Sequence, residues 1–182
     1  MTETKTLIRF FTLADFEEEE IWLREQHREG WKLRSMAPPC FYTFESCPPE
    51  DVIYRLDFKN GETDEDYFQM LRDYGWEHFD DFMGWLYFRK PASETESEAD
   101  GELFFDGLSK VEMVKKIVLT RLLPLLAIFL CCLLPSWLRM VDGGIFNVLS
   151  YVLYALVLIY IWLIVYNGVK LTRLRKKYEE EE

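Results

Sequence analysis

Histidine is scarce in this chain: there are two, His27 and His78, among 182 residues. Two histidines and four cysteines with no C-x-x-C pair leave no recognisable zinc site. Nucleotide-phosphate loops, a dinucleotide-binding glycine pattern, H-E-x-x-H and a nucleophile elbow are also missing. No set of residues fills the nucleophile, base and oxyanion roles together, so a non-enzymatic protein without cofactor or metal is expected. Met1 to Phe16 has no signal-peptide pattern. Positive charge is also deficient, with a net formal charge of −11. Residues 1–109 hold 11 Lys and Arg against 26 Asp and Glu, a charge of −15, whereas residues 110–182 carry +4. An acidic segment of this kind is repelled by nucleic acid and by anionic headgroups, which argues against direct nucleic-acid binding.

What the chain does have is a change of solvent near Ile117. Two apolar runs follow, 117–138 and 145–169, separated by Arg139 to Gly144. As helices they reach about 33 Å and about 37 Å, each enough for a hydrocarbon core of ~30 Å. They are expected to form a two-helix transmembrane hairpin. Arg121 and Asn147 lie near the ends of their runs, where they can meet headgroups. Lys115, Lys116 and Arg121 flank the first run, and Lys170, Arg173, Arg175, Lys176 and Lys177 follow the second. The short loop has a single cation, so these flanks set the topology. Both termini belong on the cytoplasmic side of a multi-pass cell-membrane protein. A reducing cytoplasm makes free thiols the better reading of Cys40 and Cys47, although their spacing permits a disulfide.

The first ninety residues contain an internal repeat. Trp22-Leu23 maps on Tyr67-Phe68 and Gly30-Trp31 on Gly75-Trp76 at an offset of 45, and Phe44 maps on Phe88 at 44. Each unit reads as strand, helix, strand, strand. Thr6 to Leu13 is β-branched and aromatic, as strands are. Asp15 is placed to cap the next helix, and Glu17 to Glu20 suit its N-terminal dipole as a solvated first turn. Gly30 stops that helix and Trp31 opens the return strand. Val52 to Phe58 alternates as a half-buried strand, and Asn60-Gly61 marks a turn. Asp64 is placed to cap a helix presenting Tyr67, Met70, Leu71 and Tyr74, which Gly75 ends. The expected fold is α+β: tandem βαββ units forming a two-layer, ferredoxin-like sandwich.

The module is expected to span residues 1–90, followed by a flexible acidic linker, 91–102, and a juxtamembrane amphipathic helix, 103–116. In that helix Ser109-x-x-Glu112 forms a capping box, and the segment reads as an interfacial anchor. Residues 170–182 form a charged tail. His27 and His78 read as structural histidines, and Glu77 with Asp80 and Asp81 as a turn with solvated carboxylates. Trp22, Trp31, Tyr54, Trp76, Trp85 and Tyr87 recur at matching points of the two units. Rings at such spacing usually pack together in a core. The sharper alternative is a ligand or partner surface for a peptide or a hydrophobic or cationic small molecule.

The series Phe16-Glu-x-Glu-x-Ile-Trp-Leu23, Gly30-Trp-Lys-Leu33, Phe41-Tyr-x-Phe-Glu45, Tyr54-x-Leu-Asp-Phe58, Gly75-Trp-Glu77 and Trp85-x-Tyr-Phe-Arg89 resembles a bacterial, membrane-associated family, domain of unknown function 2812. The resemblance covers Leu7 to Lys90. It implies no catalytic residue. It does imply membership in a response system, because genes of the family lie beside PadR-like transcriptional regulators. The resulting expectation is a membrane-anchored sensor or adaptor with a protein partner and scope for homo-oligomers. The alternative is an accessory subunit of a membrane transport complex.

Overall fold

The computed structural model describes residues 3–38, 40–59, 65–95, 101–103, 107–128, 131 and 148–180. They fall into two compact units, Met1–Ser109 and Lys110–Glu182. The first unit is α+β, and its order follows the sequence repeat. β1 (Thr4–Ile8), α1 (Phe16–Arg28), β2 (Trp31–Ala37) and β3 (Phe41–Ser46) make one βαββ unit. β4 (Val52–Phe58), α2 (Glu65–Asp73), β5 (Glu77–Phe82) and β6 (Trp85–Pro91) make the next. Each builds its own three-stranded antiparallel sheet, in the orders β1-β3-β2 and β4-β6-β5, so the topology is the same twice.

The two sheets do not join edge to edge, as a single ferredoxin-like sheet requires. They stack, with α1 between them. Trp22 of α1 packs edge-on against Tyr42 and Phe44 of the first sheet, with ring centroids 5.0 and 5.6 Å away. Phe16 of the same helix lies 5.4 Å from Trp85 of the second sheet. The opposite face of the second sheet buries Ile53, Leu86 and Phe88 with Leu71 of α2, Trp76 and Leu103. The layers therefore run sheet, helix, sheet, helix. Each large side chain buried there stabilises the fold by roughly 1.5–3 kcal/mol.

Local chemistry explains the breaks between elements. Gly30 and Gly75 adopt φ of +87° and +84° just past the ends of α1 and α2, a left-handed stop that suits glycine. Met83 and Gly84 also have positive φ and close the β5–β6 hairpin, as a tight primed turn requires. Asp15 occupies the position before α1 without capping it by its side chain; its carboxylate instead accepts the Thr12 N–H at 2.8 Å. That upstream turn shortens β1 relative to the strand expected over Thr6 to Leu13. The Asn60-Gly61 turn and the Asp64 cap lie outside the described residues.

The expected linker is anchored at both ends. β6 continues through Pro91, and Ala92–Glu94 forms a 3-10 turn. Glu102 pairs with Arg55 at 2.7 Å, and Leu103 enters the α2-side core. An apolar residue flanking an acidic run can thus fold back when a bare sheet face is within reach. Cys40, Cys47 and Cys131 are free thiols.

In the second unit, α3 (Gly107–Ile117), a π turn (Val118–Leu122) and α4 (Leu123–Ile128) continue as one helical path. Ser109, expected to open the helix, falls two residues inside α3. α5 (Val148–Glu180) runs antiparallel to this path: Lys110 Nζ sits 5.2 Å above the Tyr178 ring, while Leu122 neighbours Gly168. Met113, Val114 and Ile117 are buried on one side, and Leu171, Leu174 and Tyr178 on the other. Among the described residues one stretch, Ala155–Tyr178, is long and apolar enough to cross a membrane. The second half of the expected first span and the loop 139–144 lie largely outside the described residues.

Candidate functional site

α1 meets both sheets through polar as well as apolar groups. Helical spacing puts Phe16, Glu19, Glu20, Leu23 and His27 along one buried flank, with Trp22 and Gln26 beside it. The run Glu17 to Glu20 is therefore not a uniformly solvated first turn, because its second half is interior. Glu19 Oε1 accepts the Tyr42 hydroxyl at 3.0 Å from the first sheet and the Tyr87 hydroxyl at 2.8 Å from the second. A single carboxyl group thus joins the two sheets across the helix. Burial pushes its pKa up to about 7, against the lowering effect of the two hydroxyls.

Glu20 faces the outer edge of β4. Its Oε1 accepts the Leu56 N–H at 2.8 Å, and its Oε2 lies 3.3 Å from Arg55 Nη1. This contact caps a strand-edge donor that would otherwise need water or another chain. Burial raises its pKa to about 8, with Arg55 and the Leu56 N–H pulling the other way. Two helical turns further on, His27 Nδ1 is 2.8 Å from the Tyr54 hydroxyl. Burial and the Arg89 charge lower the imidazole pKa to about 4, so it is neutral at pH 7. Arg89 in turn forms a two-pronged pair with Glu77, at 2.7 and 2.6 Å. Burial pushes the Tyr54 hydroxyl up to about 12.

At the C-terminal end of α1, Asp51 receives both Arg24 (2.7 and 2.8 Å) and Arg28 (2.9 and 2.6 Å). These hydrogen bonds hold its carboxyl well below the usual carboxylate range. Asp51 directly precedes β4, so the pair fixes where the second unit starts relative to the helix. Asp57, also buried, accepts the Tyr67 hydroxyl and pairs with Lys59 at 3.2 Å.

The family can be placed against this geometry. A family model described as a protein of unknown function, DUF2812, matches residues 15–128. The chain belongs to that family. The DUF2812 match opens at Asp15, just before α1, and closes at Ile128, where α4 ends. It therefore includes the inter-sheet helix, the second sheet and the start of the helical unit. No curated protein and no solved structure matches the chain.

The six aromatic positions separate cleanly. Trp22, Tyr54, Trp76, Trp85 and Tyr87 are buried. Trp31 is half-buried under Lys5, whose Nζ lies 4.4 Å from the ring centroid. The structure brings Tyr54, Trp85 and Tyr87 together under α1 but puts Trp76 on the far side of that sheet, in the α2 core. They form a packed interior, not an exposed docking face. His78 is half-buried, its ring tilted against Phe68 and Phe88, and its Nε2 lies 2.9 Å from Asp81. Glu77, Asp80 and Asp81 lie in β5 instead of a turn, and no grouping suited to a metal ion occurs among the described residues.

The exposed apolar groups are elsewhere. Ile8 is 65% and Phe10 75% exposed, and Ile8 is the register partner of exposed Phe41 on β3. Ile8 and Phe41 belong to one end of the first sheet, on the face turned away from α1, and Phe10 lies two residues beyond the end of β1. A Gly30-Trp31 signature does not reveal them. The signal that does is Phe41-Tyr42-Thr43-Phe44: alternation puts Phe41 on the opposite face from Tyr42 and Phe44.

Of the cations assigned to topology, Lys115, Arg173, Arg175, Lys176 and Lys177 are exposed, while Lys116, Arg121 and Lys170 are partly covered.

Proposed function

We propose that the chain is a membrane-anchored sensor or adaptor whose module engages a protein partner on the cytoplasmic side. The observation that carries this reading is the first sheet's uncovered face, with Ile8 and Phe41 exposed at one end and Phe10 exposed just beyond β1. An apolar cluster in so acidic a module suits a partner with an apolar anchor and a basic rim. α5 supplies the anchor. The apolar run beginning at Ile117 supplies the second span of a hairpin, and the flanking cations place both ends in the cytoplasm.

The test is affinity capture of the full-length chain from native membranes in mild detergent, alongside an Ile8→Thr/Phe10→Ser/Phe41→Thr variant and a span-only chain. A near-stoichiometric soluble protein held by the native chain and lost from both comparisons supports the adaptor. Equal recovery with the triple variant removes the proposed face. A membrane transporter retained by the spans alone replaces the reading.

The π turn at Val118–Leu122 favours a second reading, because such turns often mark working positions in helices. In that reading the spans act as part of a transport complex and the module regulates their assembly. Exchange of both spans for an unrelated hairpin separates the two: an adaptor keeps its function and a transport component loses it.

A further inference from the structure

We propose that the open-sided groove along α5 binds one anionic phospholipid, with its acyl region along Ile164, Val165 and Gly168 and its headgroup phosphate at Arg173 and Lys176. This inference rests on the reading that α5 crosses a membrane. The groove has a volume of about 560 Å³ and grades from an apolar end to a basic end along a single helix face. From Ile164 to Lys176 the helix rises about 18 Å, at ~1.5 Å per residue, close to one leaflet of a ~30 Å hydrocarbon core plus the start of its headgroup layer. A molecule filling it must be apolar over most of its length and negatively charged at one end.

Three details favour that occupant. Arg173 and Lys176 are spaced i, i+3 and so are neighbours on the helix surface. Both are exposed, and neither forms an ion pair with a carboxylate among the described residues. The Thr172 hydroxyl donates to the Gly168 carbonyl at 2.7 Å, so its proton is used within the helix and the phosphate falls to the two cations. Gly168 is not demanded by helix packing, since a Cβ there would meet Leu122 at an ordinary 3.9 Å. It lies between the apolar and the basic residues of the groove lining. Paired uncompensated cations at the membrane surface favour an anionic over a zwitterionic headgroup.

The experiment uses the full chain in phosphatidylcholine vesicles with a minor fraction of phosphatidylglycerol. Flotation is measured first, then the lipid retained after gentle extraction, by native mass spectrometry. The native chain is expected to retain phosphatidylglycerol over phosphatidylcholine by roughly ten-fold relative to the bulk mixture. Arg173→Gln/Lys176→Gln loses that preference. Lys115→Gln/Lys116→Gln, which removes equal charge from α3, keeps most of it. Equal loss from both pairs, or loss from neither, overturns the site. Efficient disulfide cross-linking of a Gly168→Cys chain in phosphatidylcholine alone also overturns it, because a second copy then fills the groove. A chain that floats with phosphatidylcholine and shows no preference defeats the lipid site alone. A chain that floats with no vesicle defeats the membrane reading beneath it.

Discussion

The two sheets share one topology and differ in what covers them. The sheet of β1, β2 and β3 packs one face on α1 and leaves the other uncovered within the module, whereas the sheet of β4, β5 and β6 is packed on both faces. Residues equivalent in the repeat therefore meet different solvents. Tyr87 is buried beneath α1 and donates to Glu19, while its counterpart Thr43 is on the open face, 3.4 Å from Thr6. A duplicated βαββ unit does not fix burial by itself. Position in the stack decides it, as in repeat proteins whose terminal members carry a polar outer face.

The largest expected effect uses that pair directly. Tyr87→Ala should destabilise by about 3–5 kcal/mol, as removal of a buried ring does, whereas Thr43→Ala should stay within about 0.5 kcal/mol. Thermal melting of the full chain, followed by tryptophan fluorescence, reads both. Equal losses would mean that the first sheet is covered in solution.

Next is the carboxyl group that joins the sheets. The Glu19 pKa is raised on folding, so its contribution is fully present below the unfolded value of about 4.5 and is lost as the pH rises through about 7. Glu20 acts in the same direction, up to about 8. His27 acts oppositely: its lowered value gives a contribution present above about 6.5 and lost as the pH falls through about 4. Glu19→Gln keeps a neutral acceptor for both tyrosines. It should flatten the decline in stability from pH 5 to pH 8 and raise stability at pH 8 by about 1–3 kcal/mol. An unchanged slope would show that Glu19 is not the titrating group.

Smaller effects are expected at the two helix stops. Alanine at Gly30 meets the Cys47 carbonyl at 3.1 Å, whereas at Gly75 its nearest neighbour is the Lys90 side chain at 3.3 Å. Both changes force a left-handed conformation, at about 1 kcal/mol each. Gly30→Ala should cost more, because backbone yields less readily than the end of a lysine. The smallest effect on stability is expected from Phe10→Ser, within about 0.5 kcal/mol by the same melting assay, since the ring is largely solvated.

Much of this layout is legible in the chain. The repeated Gly-Trp dipeptides reveal two helix stops, and the alternation of Val52 to Phe58 reveals a strand. Local signals cannot say whether two three-stranded sheets pair by their edges or stack by their faces. That choice depends on α1 being adhesive on two sides. Composition alone conceals this, because Glu19 and Glu20 belong to a four-glutamate run that has the make-up of a solvated turn. Their place at helical spacing between Phe16 and Leu23 is the clue, and only a tyrosine from each sheet makes interior burial tolerable. Leu103 was hidden in a different way. Its acidic neighbours suggest a tether, but the face of the second sheet beyond α2 still needed an apolar plug.

In each unit the last strand made is the middle one of its sheet: β3 enters between β1 and β2, and β6 between β4 and β5. On the ribosome, both margins of a sheet must therefore wait, unpaired with one another, for the segment that bridges them. The first sheet cannot close before Ser46 is made, nor the second before Pro91. Through that interval the α1 segment has been made but its second partner sheet has not, and its carboxyls are still wet. The last stretch of the module to be synthesised completes the second sheet and dries the far side of a helix built some sixty residues earlier.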